Sequence, residues 1–175
     1  MNFMINIIDT NKIRKDIERA KLISDYVIVY LHFGEEYQRK ANFFQKELVN
    51  KIFNYGVEVI IASHPHVIQE IIFENGKLIA YSLGNFLSNQ RWRYSDAGAI
   101  LNFTIEKNDS NKIFIKDVYV KPTWVFKGKI NNRIQFRILK ADTTNFPIYL
   151  NNEDKIKIKQ AYSDTKQQLK NIKIN

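Results

Sequence analysis

The chain contains three histidines, and two of them lie two residues apart in the run SHPHV at 63–67. The third, His32, follows the apolar run DYVIVYL. Neutral imidazole is a common metal ligand. A His-x-His pair lets both rings face one ion, and Pro65 between them lowers the entropy lost when they are fixed. The chain has no cysteine, which excludes disulfides and thiolate sites. Any metal would be held by His, Asp, Glu or Asn, a donor set suited to Mn, Fe or Zn. Three imidazoles fill most of a four- or five-coordinate shell, whereas a two-metal site usually needs bridging carboxylates as well. An isolated His-x-His is also an ordinary surface turn, and the pair alone does not choose between the two.

Other residues near the histidines carry chemistry. Glu35 and Glu36 follow His32 and read as a general base, a carboxylate supporting a ligand, or charges favoured at a helix start. Asn85, in SLGNF, is a candidate to orient a ligand, with Gly84 permitting close backbone approach; a tight turn ending a strand is the alternative. Arg91 and Arg93 flank Trp92 and suit an anionic substrate, since guanidinium binds carboxylate or phosphate bidentately. A solvated loop with one anchored aromatic fits them equally. No Gly-rich phosphate loop, G-x-S-x-G or Cys–His arrangement is present.

The elements that must position these residues follow from pattern. DYVIVYLHF reads as a buried strand. Thr10 or Asn11 caps a helix carrying Ile13, Ile17 and Ala20, after the apolar piece FMINII. A helix over 40–54 presents Phe44, Leu48 and Ile52 on one face and ends at Gly56. VEVIIA is the next strand, and Asn75-Gly76 turns a hairpin. Strand–helix–strand with a right-handed crossover makes the first two strands parallel neighbours, so their histidines share one rim. Ligands gather beyond the carboxyl ends of such strands. From about 97 the pattern alternates in strand fashion around Asn108-Asp109-Ser110, with RIQFRIL a further short strand. The polar stretch 152–173 reads as a solvated helix.

Composition sets bounds. At 175 residues with 45% hydrophobic content, the chain is globular. The net charge is +9, which attracts anionic partners, but Lys and Arg are scattered and a nucleic-acid role is the weakest reading. No stretch approaches the roughly 20 apolar residues of a membrane helix. The first residues lack the features of a signal peptide, so localisation is not legible from a targeting segment.

Three segments in order, DYVIVYLHFGEEY, YGVEVIIASHPHVIQ and YSLGNF, resemble the CapA family of capsule and poly-γ-glutamate synthesis proteins. The resemblance covers about residues 20–90. It implies a metallophosphoesterase-like α/β/β/α sandwich, with a mixed sheet and flanking helices, of which this chain is the C-terminal half. It implies a partial domain over 1–150 and a polar helix or tail over 151–175. By the same resemblance His32, His64 and His66 are metal ligands, while Glu36 and Asn85 match catalytic positions. The activity implied is metal-dependent hydrolysis at a phosphorus or carbonyl centre, at the cell envelope. The departures are Phe33 for a tryptophan, Ala41 for a proline, Glu58 for an aspartate and Ala62-Ser63 for Gly-His. The family's upstream metal motifs have no counterpart here. The implied partners are therefore an upstream half or polymer-synthesis complex, and an anionic polymer such as polyglutamate. A non-catalytic subunit that binds such a polymer is the alternative. The resemblance also implies an exposed sheet edge with apolar surface.

Overall fold

The computed structural model describes residues 7–175. The first helix, α1, is Thr10–Ile23, and its cap is Asp9, which accepts from the Asn11 and Lys12 N–H groups. The cap is one residue earlier than the sequence suggests, because a carboxylate is the strongest acceptor available beside the positive helix end. Most of the apolar piece before it lies outside the described residues. Strand β1, Ile28–His32, leads into a loop and then α2, Phe43–Asn54. Asn42 and Gln45 form a reciprocal capping box there, so α2 starts later than position 40. Gly56, at φ 83°, lets the chain leave the helix. Strands β2 (Val59–Ser63), β3 (Ile71–Glu74) and β4 (Lys77–Ala80) follow. Asn75 and Gly76 both have positive φ, as a two-residue type I′ hairpin requires.

These strands form a mixed sheet in the order β1-β2-β4-β3. β1, β2 and β4 are parallel and β3 is antiparallel at the far edge. The register pairs His32 with Ser63, so β1 and β2 end flush. The first two strands are thus the parallel neighbours the crossover rule requires. β1 differs from the buried strand that its composition suggests. It is the other edge of the sheet, with Ile28 46% and Tyr30 65% exposed. The apolar run covers both faces of the strand, but only Leu31 is fully buried.

The second sheet is antiparallel: β5 (Ala97–Lys107), β6 (Ile113–Ile130) and β7 (Arg133–Lys140), with the short β8 (Lys173–Ile174) beside β6. Between the sheets lie Val59, Ile68, Ile71 and Leu78 from the first and Ala99, Ile115 and Val120 from the second. Leu48, Val49 and Ile52 of α2 and Ile17 of α1 cover the other face of the first sheet. The last helix, α3 (Asn152–Gln168), is not solvated on all sides. Ile158 and Ala161 pack with Trp124 and Phe126 of β6. The result is an α/β fold with both sheets flanked by helix. Among the described residues no helix is long and apolar enough to cross a membrane.

Trp124 is fully buried and donates its indole N–H to Asp96 Oδ2 at 2.8 Å. Burial pushes the Asp96 carboxyl above its ordinary value, and the Trp124 donor and the Arg91 charge only partly oppose this. A carboxyl raised on folding contributes stability that is complete below its unfolded value and is lost as pH rises through the folded one. The melting temperature of the native protein should therefore fall relative to that of Asp96→Asn as pH rises from about 4 to 7. A difference that stays flat or grows in favour of the native chain would contradict this account.

Candidate metal centre

Each strand of the parallel trio delivers a candidate residue to one rim. His32 is the last residue of β1, His64 follows β2 directly, and Asn85 lies in the turn after β4. Two main-chain bonds hold the first two loops together: Phe33 N–H donates to the Ser63 carbonyl at 3.0 Å, and Tyr37 N–H to the Pro65 carbonyl at 2.7 Å. The backbone here is strained. His64 sits at φ 112° and His66 at φ 59°, with Tyr37 at 64° across the gap. Positive φ in non-glycine residues costs about 1–3 kcal/mol each and persists only where the surroundings impose it.

Buried glutamines do much of the imposing. Gln45 and Gln69 are both fully buried, and the Gln45 amide donates to Gln69 Oε1 at 2.9 Å. Gln69 in turn donates to the carbonyls of Gln38 and Lys40, which pins the loop between β1 and α2. Gly34, at φ 103°, lies against Gln45 so closely that a Cβ would come within 2.7 Å of its amide nitrogen. On the other side, Gly84 bridges to Gly98 of β5, where a Cβ on Gly98 would meet the Asn85 carbonyl. The close approach expected of Gly84 is thus a contact between the two sheets.

His32 Nε2 and His64 Nδ1 face each other at 3.0 Å. Two nitrogens bound about 2.0–2.1 Å from one cation, at angles near 90–110°, are separated by about 2.8–3.4 Å. The spacing is that of an N–H···N hydrogen bond and also suits two cis ligands of one ion. His66 stands apart, its ring centroid 6.2 Å from that of His64. Its Nδ1 lies 2.9 Å from Asn85 Oδ1. The Asn85 amide nitrogen donates to the Ser95 carbonyl, an obligate acceptor, at 2.8 Å. That contact fixes which end of the amide faces His66, so His66 carries its proton on Nδ1 and presents a lone pair at Nε2. Glu36 Oε1 is 3.9 Å from that Nε2. Glu35 turns away and accepts from the Asn42 side chain. Among the described residues, no three His, Asp or Glu side chains enclose a single point. What the rim holds is a histidine pair with a His66–Glu36 pair beside it.

Asn85 bonds to His66, Gln90 and the Ser95 carbonyl. Arg91 is turned inward, and the half-exposed Arg93 is engaged in an ion pair. Arg91 donates to the Val125 carbonyl, and its guanidinium lies over the Trp124 ring. Arg93 grips both oxygens of Asp164 on α3, at 3.0 and 2.9 Å. Several site residues were not singled out from the sequence. Tyr37 stacks on His66 at a centroid distance of 6.0 Å, and its hydroxyl accepts from Gln90. Partial desolvation, then the neighbouring Glu36, raises the Tyr37 phenol above its ordinary value. Gln69 is the Gln of the HPHVIQ run, so its place in the motif was the available signal. Ser63 showed only as a departure from the family pattern, and Gln90 carried no signal.

Fold and rim together define a mixed α/β protein with a histidine-bearing loop cluster at the carboxyl ends of its parallel strands. Residues 3–90 match the model of the family described as "Bacterial capsule synthesis protein PGA_cap", and the chain belongs to that family. It is 31% identical over 130 residues to "PGA biosynthesis protein CapA" of Bacillus subtilis (strain 168), covering 73% of this chain and 34% of that protein. It is 28% identical over 162 residues to "Capsule biosynthesis protein CapA" of Bacillus anthracis, covering 91% of this chain and 39% of that one. The chain thus spans just over a third of the length of these curated relatives.

Removing the Asn85 side chain leaves the Ser95 carbonyl and the His66 N–H without their partners. An unsatisfied buried group costs about 1–3 kcal/mol. Asn85→Ala should lower unfolding stability in urea by an amount in that range, with an unchanged slope. Stability equal to the native chain would show that water replaces these bonds freely.

Proposed function

We propose that this chain acts in capsule or poly-γ-glutamate synthesis at the bacterial cell surface. In this reading it carries part of a divalent-metal centre for hydrolysis. The observation that carries the reading is the 3.0 Å approach of His32 Nε2 to His64 Nδ1 on a strained turn, in a chain of this family. His32 and His64 would hold a Mn, Fe or Zn ion, with His66 and Glu36 adjacent. A divalent cation at such a site polarises a phosphoryl or carbonyl oxygen and acidifies water. Around it, Asn85 keeps the His66 lone pair aimed at the site, and Glu36 is placed to accept a proton from a nucleophile or to neutralise a cation.

Two ligands do not complete a coordination shell, and we assign the remainder to polypeptide of the kind the relatives possess beyond the matched third. The β1 edge is where it would dock. A groove of about 700 Å³ between α1 and β1, lined by Ile13, Ile17, Val27, Val29 and Leu31, lies along that edge. The edge carries no Lys, Pro or bulge of the kind that discourages strand addition. A strand added in parallel there would end at the same rim as His32. The net charge of +9 suits an anionic polymer as the substrate class.

Elemental analysis tests the metal reading. The purified chain loaded with Mn, Fe or Zn should retain close to one equivalent, and His32→Ala and His64→Ala should each abolish retention. Failure to retain metal, with salt-sensitive polyglutamate binding that survives both substitutions, would instead favour a non-catalytic polymer-binding subunit. The docking reading makes its own prediction. The chain alone should self-associate through β1, and Ile28→Lys should shift it towards monomer in sedimentation; an unaltered distribution would place the contact elsewhere.

A further inference from the structure

We propose that Ser63, supported by Tyr30, is a positioning residue that sets the tautomer of His32 for cation binding. This rests on the metal reading above and concerns a position where the family resemblance expects histidine. Ser63 is the register partner of His32 across the β1–β2 pairing. Its Oγ lies 3.2 Å from His32 Nδ1 and 2.6 Å from the Tyr30 hydroxyl. Tyr30 and His32 are two apart on β1, so they share one face of the strand, and Ser63 meets both there.

The proton count limits the choices to three. A serine hydroxyl has one proton and two lone pairs. It can accept from the His32 Nδ1–H while donating to Tyr30, accept from both, or accept from Tyr30 while donating to Nδ1. The first two leave the His32 proton on Nδ1 and the lone pair on Nε2, facing His64, and these are the arrangements assigned to the cation-binding state. The tautomer with the proton on Nε2 would point an N–H at the place a cation must occupy. Tyr30 matters because, when its hydroxyl accepts the Ser63 proton, Ser63 is left to accept from His32. Hydrogen bonds of this kind to a ligand's second nitrogen typically change metal affinity 10–100-fold. A histidine at position 63 would add a ring in place of this small acceptor. The chain's departure from the family pattern therefore exchanges a potential ligand for control of a neighbouring one.

The test uses the full chain with Ser63→Ala, Ser63→Thr and Tyr30→Phe. Imidazole nitrogen shifts by NMR report the His32 tautomer without metal. They should show the Nδ1–H form in the native chain and Ser63→Thr, and a mixture in Ser63→Ala. Zinc titration by calorimetry should show about 10–100-fold weaker binding for Ser63→Ala, a smaller loss for Tyr30→Phe, and recovery in Ser63→Thr. Equal urea stability of the metal-free variants would show that the loss is not one of folding. An unchanged His32 tautomer in Ser63→Ala, or equal zinc affinity, overturns this inference and leaves the metal reading standing. No zinc binding by the native chain overturns the metal reading and takes the positioning role with it.

Discussion

The parallel pairing of β1 with β2, in the register that sets His32 opposite Ser63, is the constraint on which the rest of the rim depends. A slip of one residue would send His32 to the other face of the sheet and break its approach to His64. The register holds because Leu31 and Ile60 are buried beneath α2, so their alternation cannot shift without exposing them. From that starting point the loops are held by backbone: Phe33 to Ser63, then Tyr37 to Pro65. The left-handed conformations of His64 and His66 are the strain this clamp sustains. Gln45 and Gln69 make the clamp rigid, since each is wholly buried and bonded.

The second sheet reaches the rim from the opposite side. Gly84 and Gly98 allow the two sheets to touch, which sets Asn85 beside His66 and within reach of the Ser95 carbonyl. Farther out, Arg39 and Arg93 both bond to Asp164 of α3, and both guanidiniums lie over the Tyr94 ring. This clasp ties the loop after β1, the segment after Asn85 and the last helix into one support. Asp164 is nearly buried while Arg93 is half-exposed, and the two-point contact fixes the geometry of the pair. The helix read from sequence as polar and solvated thus presents a buried face to Trp124.

Much of this was legible before the structure. The two parallel strands, the crossover helix, the Asn75-Gly76 hairpin and the convergence of the strand ends all follow from local pattern. What the pattern could not carry was which side of an element faces what. The run YVIVYL has the same composition whether it is a central strand or an edge, so the exposure of Ile28 and Tyr30 was not legible from the run itself. The commitment of Arg93 to Asp164 joins positions 71 apart and leaves no periodic trace. Ser63 read only as a departure from a family pattern, because its value comes from two partners on a neighbouring strand.

The central claim is that His32 and His64 share one divalent cation. Anomalous X-ray scattering from crystals grown with Mn or Zn tests it most directly. The account predicts a peak about 2.0–2.2 Å from both His32 Nε2 and His64 Nδ1. A peak located elsewhere on the molecule, or a direct His32–His64 hydrogen bond persisting at saturating metal, would contradict it.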